Sequence, residues 1–176
     1  MAMIEAIAVS RTSPLGRYAT GDNYTDCFSV RIEARVSLEQ FLAAFYGSRL
    51  FALERRFLAN ALGHRSTQAD IDALAEGSTD KFAAWQVEFR GDDNILLCDV
   101  SGRTRSWLKC QPDRRSATPA TALMFGSAVL RREGHSFKAR LSRALIRLTI
   151  PLHRLYARAL LRAAKNGLNE LTKRET

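Results

Sequence analysis

At 176 residues, 46% of them hydrophobic and 26% charged, the chain has the composition of one globular domain with its own core, not of a disordered, fibrous or membrane-spanning protein. Its formal charge of +9 gives it a field that attracts phosphates, anionic lipid or acidic partners without selecting among them. Cys27, Cys98 and Cys110 form no CxxC pair and no metal-type spacing with His64, His135 or His153, which argues against a disulfide framework or a zinc site and predicts buried free thiols in a reducing, cytoplasmic setting.

The start, MAMIEAIAVSRTS, carries Glu5 inside its apolar stretch and no basic lead, unlike a secretory signal, and no run elsewhere reaches the length of a membrane span. Residues 1–22 hold Pro14, Gly16 and Gly21 without a sustained period and read as an arm with a short strand near Ile4–Val9. From Tyr24 the pattern alternates. Phe28, Val30, Ile32 and Ala34 take one face, and Cys27, Ser29, Arg31, Glu33 and Arg35 the other, as in a half-buried strand.

Ser37 with Gln40 three residues on predicts a capped helix with Leu38, Phe41, Leu42 and Phe45 on its apolar side. Leu50, Leu53, Phe57, Ala61 and Leu62 predict a second helix stopped at Gly63, with His64 as a C-terminal cap. Thr67, Asp70, Ile71 and Leu74 predict a third, ending at Gly77. Strands follow at Trp85–Arg90, Ile95–Val100, Thr104–Cys110 and Thr121–Arg131, with turns at Gly91–Asn94 and Ser101-Gly102.

The last segment, Phe137 to Lys165, has no acidic residue between Glu133 and Glu170 and reads as one long helix, bent near Leu148 by Pro151. Phe137, Leu141, Leu145, Leu148, Leu152, Leu155, Ala159 and Ala163 recur at helical spacing and are expected to face the core. Arg140, Arg143, Arg147, Arg154, Arg158, Arg162 and Lys165 recur beside them. The fold expected is α+β: a curved antiparallel sheet wrapped around the C-terminal helix, with two or three helices inserted after the first strand. Residues 23–165 form the domain, and 166–176 are expected to be a flexible tail.

The runs Pro151–Arg162, Phe125-Gly126-Ser127-Ala128-Val129, Thr104-Arg105-Ser106-Trp107 and Tyr24-Thr25-Asp26-Cys27-Phe28 resemble, in order and spacing, a bacterial domain family of unknown function. The element order also resembles the START-like, or helix-grip, architecture of polyketide cyclases and the birch-pollen allergen, although five or six strands are legible where that architecture has seven. The resemblance implies a pocket for a hydrophobic ligand between sheet and final helix.

The sequence names no reaction: it holds no phosphate-binding Gly-rich loop, nucleophile elbow, HExxH or Walker motif, and nothing in it calls for a cofactor or a metal. Trp85, Trp107, Phe125 and Ser127 are the candidates to line a pocket, with Arg105 as a polar anchor for a ligand carboxylate, although core packing and a solvated sheet face explain the same residue types. The leading expectation is therefore a non-catalytic binding domain for a small hydrophobic or amphipathic ligand. An enzyme of the cyclase, dehydratase or hydrolase kind would need His153, Asp99, Glu88 and Tyr156 to converge, and spacing brings none of them together. A third reading has Arg143, Arg147, Arg154, Arg158 and Arg162 meet an anionic membrane or, less favoured, nucleic acid. A membrane contact on that reading requires the apolar helix face to leave the core.

Overall fold

The computed structural model describes residues 3–53, 66–131 and 137–174, with side chains of the last helix described from Ile150 to Leu171. Seven antiparallel strands form one sheet: β1 (Glu5–Ala6), β2 (Tyr24–Ile32), β3 (Lys81–Phe82), β4 (Trp85–Arg90), β5 (Asn94–Asp99), β6 (Thr104–Pro112) and β7 (Thr121–Val129). Their order is β1-β2-β7-β6-β5-β4-β3. The two strands not legible as such in the sequence, or only faintly so, are the edges β1 and β3, each two residues long, too short to show alternation and too short to template a neighbouring chain. Between β2 and β3 come α1 (Leu38–Tyr46), a helical turn at 49–53 and α2 (Gln68–Glu76), and the chain ends in α3 (Phe137–Arg174). The sheet curls around α3, which packs along β2 and against α1.

Local chemistry explains the boundaries. Ser37 and Gln40 form the reciprocal capping box at the start of α1, and Thr67 with Asp70 does the same for α2. Gly77 ends α2 in the left-handed region at φ 82°, where an L side chain would be strained. At the β5–β6 turn, Gly102 has φ 69°, and Asp99 Oδ1 accepts from the backbone N–H groups of Arg103 and Thr104, both at 2.8 Å. The second predicted helix begins at the turn of 49–53, with the Ser48 hydroxyl accepting from the Phe51 N–H at 3.2 Å; Phe57, Ala61, Leu62, Gly63 and His64 lie outside the described residues.

The sheet buries both faces. Phe28, Val30, Ile32, Leu108, Leu123 and Phe125 meet α1, α2 and α3 in the main core, where Phe45, Tyr46, Phe51 and Phe82 pack as a ring cluster. On the opposite face Leu15, Cys27, Leu96, Trp107 and Ala128 form a second, smaller cluster. The N-terminal arm covers it. Its 3₁₀ helix, Pro14–Tyr18, drops Leu15 over Gly126, where a Cβ would stand 2.6 Å from Leu15 Cδ2. The arm is thus part of the fold, since without it that sheet face would be bare.

α3 corrects the expected helix faces. Leu152 and Leu155 are 68% and 66% exposed, while Ala157, Leu160, Leu161, Ala164 and Leu168 are buried. Leu141, Leu145 and Leu148 have side chains outside the described residues. The helix is a single element across Pro151 and runs to Arg174, so residues beyond Lys165 belong to the domain, with Leu168 in its core.

Candidate functional site

β2, β7 and β6 lie side by side, and their register puts Phe28 beside Phe125 and Phe125 beside Leu108, an apolar row under the helices. Two residues further along each strand, on the same face because side chains alternate, the row becomes Asp26, Ser127 and Ser106. The sheet thereby changes from apolar to polar while still buried: Ser127 is 2% exposed and the Asp26 side chain 9%.

A cavity of about 150 Å³ opens between this part of the sheet and the helices. Phe45, Tyr46, Phe51, Trp85, Phe125, Tyr156 and Leu160 give it an aromatic and aliphatic wall, and Ser106, Ser127 and His153 a polar end. Larger hollows of up to about 850 Å³ lie elsewhere on the molecule, lined by residues such as Arg35, Asp113, Arg114 and Thr118, and among the described residues lining them no buried polar side-chain atom lacks a partner.

At the polar end, α3 brings His153 over the start of β2. Its Nε2 is 3.7 Å from Asp26 Oδ2, beyond hydrogen-bond length. The Tyr24 hydroxyl donates to the same Oδ2 at 2.7 Å, and the Tyr24 ring meets the imidazole edge-on at 6.0 Å between centroids. Burial, reinforced by the Asp26 carboxylate, pushes the Tyr24 hydroxyl well above its ordinary pKa, so it stays a donor. Asp26 Oδ1, Ser127 Oγ and His153 Nε2 are buried and make no hydrogen bond. Buried polar atoms are rarely left so; Ser127 and His153 line the cavity, and Asp26 stands beside Ser127 on the next strand.

Of the residues singled out in the sequence, Trp85, Phe125 and Ser127 are brought together as cavity lining. Arg105 borders the cavity through its place in β6, but its guanidinium is on the other sheet face, 2.6 Å from Glu88 Oε2 and 4.6 Å above the Tyr18 ring. The Tyr18 hydroxyl donates to the same carboxylate, which completes a three-residue clasp holding the N-terminal arm to the sheet. Trp107 lies on that other face too, in the smaller core cluster, its indole N–H donating to Asn94 Oδ1 at 3.1 Å. Among the groups an enzyme would need, His153 and Tyr156 reach the cavity, whereas Asp99 caps a turn and Glu88 serves the clasp.

Asp26 and Tyr24 were missed by the sequence reading. The signal was available, because the alternation that puts Phe28, Val30 and Ile32 inside also puts Asp26 and Tyr24 inside, and a carboxylate on a buried row calls for a reason. Among the described residues, no three His, Cys, Asp or Glu side chains are grouped to hold a metal ion, and no helix is long and apolar enough to cross a membrane. Comparison with protein-family models, with curated proteins and with solved structures finds no match.

Proposed function

We propose that this chain is a binding domain for a small, largely apolar molecule held between α3 and the sheet. The observation that carries the reading is the Ser127 hydroxyl, buried without a partner in the wall of an otherwise aromatic cavity. The helix-grip arrangement points the same way, since the START-like resemblance implies a ligand at this interface. The volume limits the ligand. Sites for drug-sized molecules hold about 300–1,000 Å³, whereas a cavity of about 150 Å³ takes a molecule of benzene size, so a single ring or a short aliphatic chain is the class that fits.

Titration of the whole chain with benzene and toluene, followed by two-dimensional NMR, tests this. Saturable shifts at Trp85 and around Phe125 are expected, and they are expected to vanish when Leu160→Phe fills the space. An absence of saturable binding by any one-ring probe would remove the reading.

A second reading rests on a different observation, the exposure of Leu152 and Leu155 beside the exposed Arg154 and Arg162. An apolar row flanked by arginines suits an anionic lipid surface, with the leucines entering the acyl boundary and the guanidinium groups meeting headgroups. The requirement that the apolar face first leave the core falls away, because these leucines are outside it already. A phosphate backbone would reward the arginines and leave the leucines bare, so lipid is favoured over nucleic acid.

A further inference from the structure

The sheet face away from the cavity is covered over only part of its length. The N-terminal arm packs over Cys27, Leu96, Trp107 and Ala128. Further along the same face, register aligns Ser29 with Met124 and Lys109, and Arg31 with Ala122 and Gln111, and none of these side chains is buried. Two hollows, of about 600 and about 810 Å³, share Lys109, Gln111 and Met124 and so form one groove over this floor. Its ends are basic. Arg11 and Arg17 of the arm stand at one end, and Arg114 and Arg115 of the loop after β6 at the other. All of them are exposed, and among the described residues none makes a salt bridge. The acidic residues of the lining do not balance them. Arg31 holds Asp113 at 3.1 Å and Lys109 holds Asp93 at 3.5 Å, which leaves Glu5. We infer that this groove is a docking surface for an extended, acidic peptide segment of a partner protein.

Width sets the shape of the occupant. At the usual strand spacing β2, β7 and β6 give a floor about 10 Å across, room for one extended chain. The small side chains of Ser29 and Ala122 let its backbone come close. Charge sets its composition. The inner cations of the groove already take carboxylates from the molecule's own turns, as the Arg31–Asp113 and Lys109–Asp93 pairs show, and the outer arginines offer the same chemistry to carboxylates of a second chain. A nucleic-acid strand would meet the same arginines but find no platform for its bases. The aromatic residues of the lining are Phe89 and Trp107, both packed in the smaller core cluster, and Trp107 is 4% exposed with its indole N–H given to Asn94. A flat bilayer does not reach the floor of a groove between an arm and a loop.

Fluorescence anisotropy with the full chain and a labelled Glu-Ser repeat peptide tests this, with a Gln-Ser repeat and a thymidine oligonucleotide of equal charge as comparisons. The Glu-Ser peptide is expected to bind saturably, at least about tenfold more tightly than the Gln-Ser peptide and more tightly than the oligonucleotide, and to weaken about tenfold or more at about 0.5 M salt. Arg11→Glu with Arg115→Glu should lower its affinity about tenfold. Arg154→Glu with Arg162→Glu on α3 should leave it within about twofold, which separates the groove from the general charge of the molecule. On the unaltered protein the peptide is expected to shift the NMR amide signals of Ser29, Ala122 and Met124 and not those of Leu152 and Leu155. Equal binding of both peptides, an equal loss from the α3 pair, tighter binding of the oligonucleotide, or no saturable binding would each overturn the inference. The groove lies on the sheet face away from the cavity, so none of these outcomes bears on ligand binding there.

Discussion

The buried thiols are the residues whose behaviour follows most directly from position. Cys27 and Cys110 are free and buried, one on each face of the sheet, and burial pushes both thiols up to about 12 from an ordinary 9.0. A nearby carboxylate adds to the effect in each case, Asp26 for Cys27 and Asp93 for Cys110. The folded state therefore holds both protons more tightly than the unfolded chain does. Below pH 9 both states are protonated and this contribution is fully present. Between pH 9 and about 12 the unfolded chain loses the protons first, and stability falls by up to about 1.4 kcal/mol per pH unit for each thiol. Urea denaturation across pH 7 to 11 should show no thiol-dependent loss to about pH 8.5 and a decline above it that is shallower in the Cys27→Ala, Cys110→Ala double variant. An equal decline in both proteins would mean the thiols ionise freely in the fold. That both cysteines are buried and unpaired was legible from their place in apolar, strand-like runs.

At the scale of the element, α3 separates what periodicity specifies from what it leaves open. The helix carries two apolar rows, one through Leu152, Leu155, Ala159 and Ala163, the other through Ala157, Leu160, Leu161, Ala164 and Leu168. Both have helical spacing, so the sequence marks each as a face without saying which one docks. The second row docks. Its alanines, Ala157 and Ala164, are fully buried, and small side chains let a helix backbone approach its neighbours, here β2 and α1, more closely than leucines do. Leu160→Ala and Leu161→Ala should each cost about 2–5 kcal/mol, as core truncations do. Leu152→Ala and Leu155→Ala should stay within about 0.5 kcal/mol. Guanidinium denaturation of the four variants decides between the faces, and the reverse ranking would return the first row to the core.

For the whole molecule, the proposed lipid contact would draw on both the exposed Leu152 and Leu155 of α3 and the net charge of +9. Arg158 has its guanidinium over the Phe28 ring at 5.0 Å and is partly committed to the fold, so Arg154 and Arg162 are the better probes of a surface contact. Sedimentation with vesicles rich in phosphatidylserine should recover the protein at low salt and recover about tenfold less at 0.5 M salt, where the Debye length is a few ångströms. Arg154→Glu with Arg162→Glu, and separately Leu152→Ser with Leu155→Ser, should abolish recovery without altering thermal unfolding. Equal recovery on neutral vesicles, insensitivity to salt, or retention of duplex DNA in place of vesicles would each defeat the lipid reading.

The sequence by itself determined the long elements. Ser37 and Gln40, Thr67 and Asp70, Gly77 and Gly102 marked boundaries through hydrogen bonds and dihedral limits that operate within a few residues. Alternation marked the long strands, and the succession of strands and helices carried the α+β class with the C-terminal helix against an antiparallel sheet. Only the tertiary structure decided the rest. It joined Asp26, Ser127 and Ser106 in one row, because strand register brings Asp26 beside Ser127 across most of the chain and no local pattern encodes it. It sent Trp107 and Arg105 to the face away from the cavity, since both faces of the central strands are buried and the sequence gives no asymmetry to tell them apart. It turned one apolar row of α3 inward and left Leu152 and Leu155 of the other in solvent, because docking is chosen by fit against a surface that exists only after the sheet has formed.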